Sequence, residues 1–185
     1  MLGVLSELVT YKGTSKQTGG AYSLFEVASQ AGSGPPPHTQ HREDEGLYVL
    51  EGAYEFLEEG RITRAGIGSL VYVPRDKVHT HKDIGEVPGR MLISQTPGGL
   101  HEWFFEEIGE PATDKTNLPV FESPPDSGRI AEIPAKYGIE IPPSPEGMKP
   151  DKKEETTDER VGVFGYGRYG LARELGGDPF AQCRS

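Results

Sequence analysis

The first hundred residues alternate short apolar runs with polar, glycine-containing joints, a pattern that predicts many short strands and few helices. Residues 4–11 (VLSELVTY) and 21–28 (AYSLFEVA) read as strands separated by the polar KGTSKQTGG. Between Glu45 and Pro74 come LYVLE, AYEFLE, RITR and SLVYV, joined at Gly52, at EEG 58–60 and at AGIG 65–68. VHTH at 78–81 and RMLISQT at 90–96 extend the set, to roughly eight or nine strands by pattern. So many short strands must close into a barrel or pack as two sheets, because one long open sheet leaves vulnerable edges.

The period changes at 98–110 (GGLHEWFFEEIGE), where Leu100, Trp103, Phe104 and Ile108 recur every three to four residues. That spacing predicts an amphipathic helix, lying against the strands or in a subunit contact. Further on, IAEIPAKYG predicts a turn or two of helix broken at Pro134. From about residue 143 apolar residues are too sparse to offset ordering entropy, which predicts a flexible tail. The chain thus divides into a β core with its flanking helix at 1–115, an extended segment with a short helix packing on it at 116–142, and the tail at 143–185.

Composition sharpens this picture. Twenty-five glycines and 16 prolines in 185 residues favour tight turns over long helices. Acidic residues outnumber basic ones 29 to 19, a formal charge of -10, which works against a nucleic-acid or anionic-membrane partner. The single cysteine, Cys183, cannot form an internal disulfide. No stretch has the length to span a bilayer, and the N-terminal residues lack a signal-peptide pattern, so the expected location is the cytoplasm. Phosphate-binding glycine loops, serine-nucleophile elbows and zinc-finger spacings are all missing from the sequence.

Candidate chemistry lies in the five histidines, four of which fall within PPPHTQHREDEGLYVLEG at 35–52 and GSLVYVPRDKVHTHKD at 68–83. On an extended strand His38 and Gln40 share a face while His41 points away. A turn after Glu45 can swing its carboxylate beside His38, and His79 arrives from a later strand. Two imidazoles, a carboxylate and an amide oxygen suit Mn, Fe, Co, Ni or Zn better than Ca or Mg. The same histidines beside glutamates also fit an ordinary surface. His41, His81 and His101 read as neighbours of the site or as surface residues. His81 shares strand parity with His79 and is the substitute ligand should Gln40 fail.

These residues carry a family resemblance. Gly32, His38, Gln40, Glu45 and Gly52 resemble the first motif of the cupin superfamily, and Gly68, Pro74, Asp76, His79 and Asp83 resemble its second. The spacings match, but Gln40 stands where the family has histidine, Asp76 where it has glycine and Asp83 where it has asparagine. The resemblance, to the single-domain quercetin-dioxygenase-like branch, covers about residues 20–110. It implies an all-β fold, a double-stranded β-helix or jelly-roll barrel, with a short C-terminal helix and extended tail. It also implies one divalent transition metal on His38, Gln40, Glu45 and His79, and pairing as a homodimer. The implied activity is a quercetinase-like dioxygenase acting on a small phenolic or enolic compound, with Glu45 as metal ligand and catalytic base. Non-redox isomerisation or lysis, and non-catalytic small-molecule binding, are the alternatives. Tyr48, Tyr54, Phe56 and Tyr72 are candidate pocket aromatics, and equally candidates for ordinary core, with His81 beside them.

Overall fold

The computed structural model of the chain describes residues 1–114, 118, 127–142 and 164–165. In chain order the elements are β1 (Leu2–Val4), β2 (Glu7–Gly13), α1 (Ser15–Thr18), β3 (Ser23–Ser29), β4 (His38–Gln40), β5 (Asp44–Glu51), β6 (Ala53–Glu58), β7 (Arg61–Gly66) and β8 (Ser69–Val73). There follow β9 (Val78–Asp83), β10 (Gly89–Thr96), α2 (Leu100–Ile108), β11 (Glu110–Pro111), α3 (Ser127–Lys136), β12 (Ile139–Glu140) and β13 (Phe164–Gly165). The expected flexible tail lies outside the described residues, apart from β13.

Strict alternation makes the strands. In β3, Ser23, Phe25, Val27 and Ser29 are buried while the residues between them are half-buried, the signature of a strand with one face on a core. In β10, Met91, Ile93 and Gln95 do the same. The strands form two antiparallel sheets. The larger runs β11-β1-β2-β3-β10-β5-β8-β13 and the smaller β12-β4-β9-β6-β7. Val9, Phe25, Leu47 and Met91 of the first sheet share one hydrophobic cluster with Tyr54 and Phe56 of the second.

Those orders correct the barrel expectation. Among the described residues no ladder joins one sheet to the other, and each sheet ends in two edge strands. The fold is therefore mostly β with two open sheets, and neither a closed double-stranded β-helix nor a jelly-roll barrel. Strand number and alternation demand a shared core, which two stacked sheets supply as well as a barrel does. Closure needs the first and last strands to pair, and here β11, β13, β12 and β7 occupy the margins instead.

Turn chemistry explains the connections. Between β6 and β7 the two loop residues Glu59 (φ 46°) and Gly60 (φ 86°) both have positive φ, as a tight hairpin matched to strand twist requires. Asp76 also has positive φ, 66°. That backbone accounts for a glycine in the family motif, and aspartate is among the few other residues that tolerate it. Before β4, residues 31–37 run beside β9: Gly32 N–H donates to the Asp83 carbonyl at 2.9 Å, and Thr80 Oγ1 donates to the Pro35 carbonyl at 2.7 Å. Gly34 allows this approach, since a Cβ there would lie 1.9 Å from the His81 carbonyl oxygen.

Helix α2 presents His101, Glu102 and Phe104 inward and leaves Trp103 51% exposed. The apolar face expected from the sequence thus rotates, with Trp103 outside and His101 within. Helix α3 runs through Pro134 to Lys136, so the expected break falls beyond the proline, at Gly138 (φ 75°). Lys136 and Tyr137 both bond Glu107 of α2, at 2.5 and 2.6 Å. This tie delivers β12 to the edge of β4, with Ile139 opposite Gln40.

Asp83, fully buried, accepts from Gly85 N–H at 2.8 Å and from Gly89 N–H at 2.7 Å. An asparagine keeps one such acceptor, which rationalises the family's residue here. Asp83→Ala is expected to cost about 3 kcal/mol, because two backbone donors lose their partner. Asp83→Asn is expected to cost visibly less. Urea unfolding midpoints of the two variants at equal slope check the ranking.

Candidate metal centre

The site grows from one register. In the β4–β9 pair His38 faces His79 directly, so strand geometry holds both imidazoles on one face, with ring centroids 4.4 Å apart. Glu45 enters from β5 in the other sheet. One ligand atom each from His38, Glu45 and His79 lie within 4.8 Å of one another, a group able to hold a metal ion.

Both imidazoles are oriented by backbone. His38 Nδ1–H donates to the Pro36 carbonyl at 3.0 Å and His79 Nδ1–H to the Lys77 carbonyl at 2.9 Å. Each bond fixes the tautomer and leaves Nε2 to the site, the usual support of a metal-binding histidine. The prolines at 35–37, read in the sequence as a stiff approach, include the one whose carbonyl orients His38. Glu45 is buried and doubly held: Gln95 Nε2–H donates to Oε1 at 2.7 Å, and His79 Nε2 lies 3.0 Å from Oε2. Gln95 is the register partner of Glu45 across β5 and β10. No sequence motif marked Gln95. Its signal was an amide at an inward position of an otherwise apolar strand.

Electrostatics follow from the enclosure. Burial, with the His79 imidazole adjacent, pushes His38 down to about 3 against the pull of Glu45. Burial alone would raise Glu45, yet the hydrogen bond and charge of His79 hold its carboxyl well below the usual range. His79 rises above its ordinary value because the Glu45 bond and charge outweigh burial. The site therefore combines a neutral imidazole, a carboxylate and an imidazole tied to that carboxylate. That is a mixed nitrogen and oxygen donor set for a first-row transition metal.

The structure places the other sequence candidates as follows. Gln40 is buried, and neither its amide oxygen nor its amide nitrogen has a hydrogen-bond partner. Such orphaned groups are rare, and this one lies on β4, the strand that carries His38. His81 is buried but engaged elsewhere, with Nε2 3.0 Å from Glu7 Oε1. His41 is at the surface between Asp76 and Glu140, at 2.7 and 3.1 Å. Tyr54 and Phe56 are core side chains, whereas Tyr48 and Tyr72 face outward at 37% and 41% exposure. Sequence reasoning left His101 among surface or neighbouring residues. It is buried instead and lines, with His38, Glu45 and His81, a cavity of about 60 Å³.

Replacing Gln95 by leucine removes the donor that steadies Glu45 Oε1 while keeping the buried volume apolar. The expected result is a metal affinity roughly 10- to 100-fold weaker with little loss of secondary structure, read by competition with a chromogenic chelator and by circular dichroism.

Comparison with known proteins places the core. Residues 24–94 match the model of the cupin domain. A germin-like protein, subfamily 2 member 2, of Arabidopsis thaliana is 39% identical over 87 residues, covering 41% of this chain and 38% of that protein. Nectarin-1 of Nicotiana langsdorffii x Nicotiana sanderae is 36% identical over 87 residues, covering 41% and 37%. The chain thus matches well under half the length of these curated relatives. Among solved structures, KdgF from Halomonas sp. superposes with a TM-score of 0.47 at 20% identity, over 51% of this chain and 81% of that one. The family model matched is that of the cupin domain in general and not of its quercetin-dioxygenase-like branch in particular. No helix among the described residues is long and apolar enough to cross a membrane. The stretch that matches the cupin-domain model, residues 24–94, is the one that carries His38, Glu45 and His79.

Proposed function

We propose that the protein is a metal-dependent oxidoreductase, a dioxygenase acting on a small enolic compound. The observation that carries this reading is the convergence of His38, Glu45 and His79 within 4.8 Å, with both histidine Nδ1 groups committed to backbone carbonyls. Those three residues would hold the metal, with Gln40 Oε1 as the further donor. When bound, a divalent iron, manganese, nickel, cobalt or zinc ion supplies Lewis-acid activation of a substrate oxygen, and the redox-active ones supply electron transfer to dioxygen.

The chain's own residues determine what can react there. The cavity of about 60 Å³ is lined in part by apolar side chains including Val27, Ile93, Phe104 and Ile139, so it offers a small molecule an apolar wall beside the ligands. An apolar cavity near 150 Å³ is what benzene occupies. That comparison favours a short enolic compound over the phenolic one also expected from the sequence. Glu45 is a ligand first. Its part as proton acceptor, expected from the resemblance, needs a rotamer change that the Gln95 bond to Oε1 opposes. A metal-dependent isomerase or lyase is the second reading, favoured by the imidazole–carboxylate pairs along the cavity, which can move protons without dioxygen.

Metal content by plasma mass spectrometry on tag-free protein is the deciding measurement. Near-stoichiometric transition metal is expected, lost in His38→Ala and reduced roughly tenfold in affinity in Gln40→Ala. Uptake of dioxygen on addition of short-chain enols, in an oxygen electrode, then separates oxidation from isomerisation or lysis. Well-folded protein that holds and takes up no metal would leave only a non-catalytic binding module.

A further inference from the structure

Three imidazole–carboxylate pairs lie at or beside the cavity, and two of them, Glu7–His81 and Glu43–His101, stand outside the metal cluster; the second is the one anchored on a helix. His101 is on α2. Its Nδ1–H donates to Glu43 Oε2 at 3.1 Å, while Glu43 Oε1 accepts the backbone N–H groups of Leu100 and His101 at 3.1 and 3.3 Å. Glu43 is 2% exposed and His101 6%. The carboxylate is thus anchored on a helix N-terminus, where it is favoured, and it fixes the imidazole in the tautomer with hydrogen on Nδ1. Among the described residues no partner takes Nε2. The rings of Phe104 and Phe105 pack edge-on against the imidazole, at centroid distances of 5.7 and 5.0 Å. His101 is not in the ligand cluster, yet it lines the cavity with His38 and Glu45 and acts electrostatically on both.

We infer that His101 is the general base of this cavity, with Glu43 its positioning residue, and that the substrate class is a small hydroxyl-bearing compound whose oxygen reaches the metal as its proton reaches His101 Nε2. The role rests on the metal-centre reading above. A carboxylate on Nδ1 leaves the Nε2 lone pair free to accept a proton and then balances the imidazolium that forms. In the step, the substrate O–H bond breaks and its electron pair stays on oxygen. The Nε2–H bond forms, and the proton returns to product or water afterwards. No oxidant enters this step. The titratable groups facing His101 are Glu43 on Nδ1 and, across the cavity, Glu45, His38 and the Glu7–His81 pair.

The test uses full-length protein loaded with zinc, which is redox-silent, and acetohydroxamic acid, a five-heavy-atom chelator that binds metals through a deprotonated hydroxyl. Calorimetry in two buffers of different ionisation enthalpy counts protons released per bound probe. In wild type the proton stays on His101, so the binding enthalpy is expected not to depend on the buffer. In His101→Gln one proton per site is expected in the buffer, with affinity weaker by roughly tenfold or more and zinc content unchanged. Glu43→Gln keeps an acceptor for the helix N–H groups and so preserves the fold. It too is expected to release the proton, because the imidazolium has lost its counter-charge. Equal proton counts in wild type and both variants would overturn the role of His101, as would loss of zinc in His101→Gln, which would make it a ligand. Wild type that takes up no zinc would fail at an earlier step and overturn the metal reading itself.

Discussion

The pairing of the three-residue strand β4 with β9 is the constraint on which the site depends. It sets His38 against His79 at one level of the smaller sheet, and a slip of one residue would put the two imidazoles on opposite faces. Two paired positions cannot secure that register alone. It is held from outside by the 31–37 approach lying along β9, by Asp76 N–H donating to the Gln40 carbonyl at 2.8 Å, and by β12 covering the free edge of β4. The prolines that stiffen the approach also present the carbonyl that orients His38, so the same local chemistry serves backbone position and ligand tautomer.

The second theme is the management of buried charge. Glu7, Glu43 and Glu45 each enter the interior and each meets an imidazole, His81, His101 and His79 respectively, at 3.0 to 3.1 Å. An isolated buried carboxylate would be too costly to keep ionised. Paired and hydrogen-bonded, it becomes a fixed local charge in a water-poor space. The three pairs do different work. One belongs to the ligand cluster, one braces α2 beside the cavity, and the third joins β2 to β9 with Ser29 also donating to Glu7 at 2.9 Å. The Gln40 amide, with neither its oxygen nor its nitrogen hydrogen-bonded, contrasts with these paired carboxylates.

The substitutions that set this chain apart from the cupin motifs have physical readings. Asp76 occupies the positive-φ position in place of glycine and also holds His41 at 2.7 Å. Asp83 uses both carboxylate oxygens to tie the 85–89 turn, where an asparagine has one acceptor. Neither change reaches the metal cluster. Gln40, buried with an unpartnered amide on the strand that carries His38, offers a neutral oxygen where the motif has an imidazole nitrogen.

Much was legible in the sequence, because strand alternation, turn glycines and motif spacing are local signals. They marked the β content, the hairpin at 58–60 and the residues His38, Glu45 and His79. They did not decide closure: two stacked sheets and a barrel need the same inward alternation, and only the pairing of distant edges tells them apart. Nor did they decide which way α2 turns. Its period admits two faces, and the one chosen follows from buried Glu43 accepting the helix's first N–H groups, which draws His101 inward and leaves Trp103 outside. Gln95 went unmarked, and His101 was left between a neighbour of the site and a surface residue, for the same reason. Each gains its role from a carboxylate about fifty positions away in the chain, and such proximity is created by packing, not by sequence.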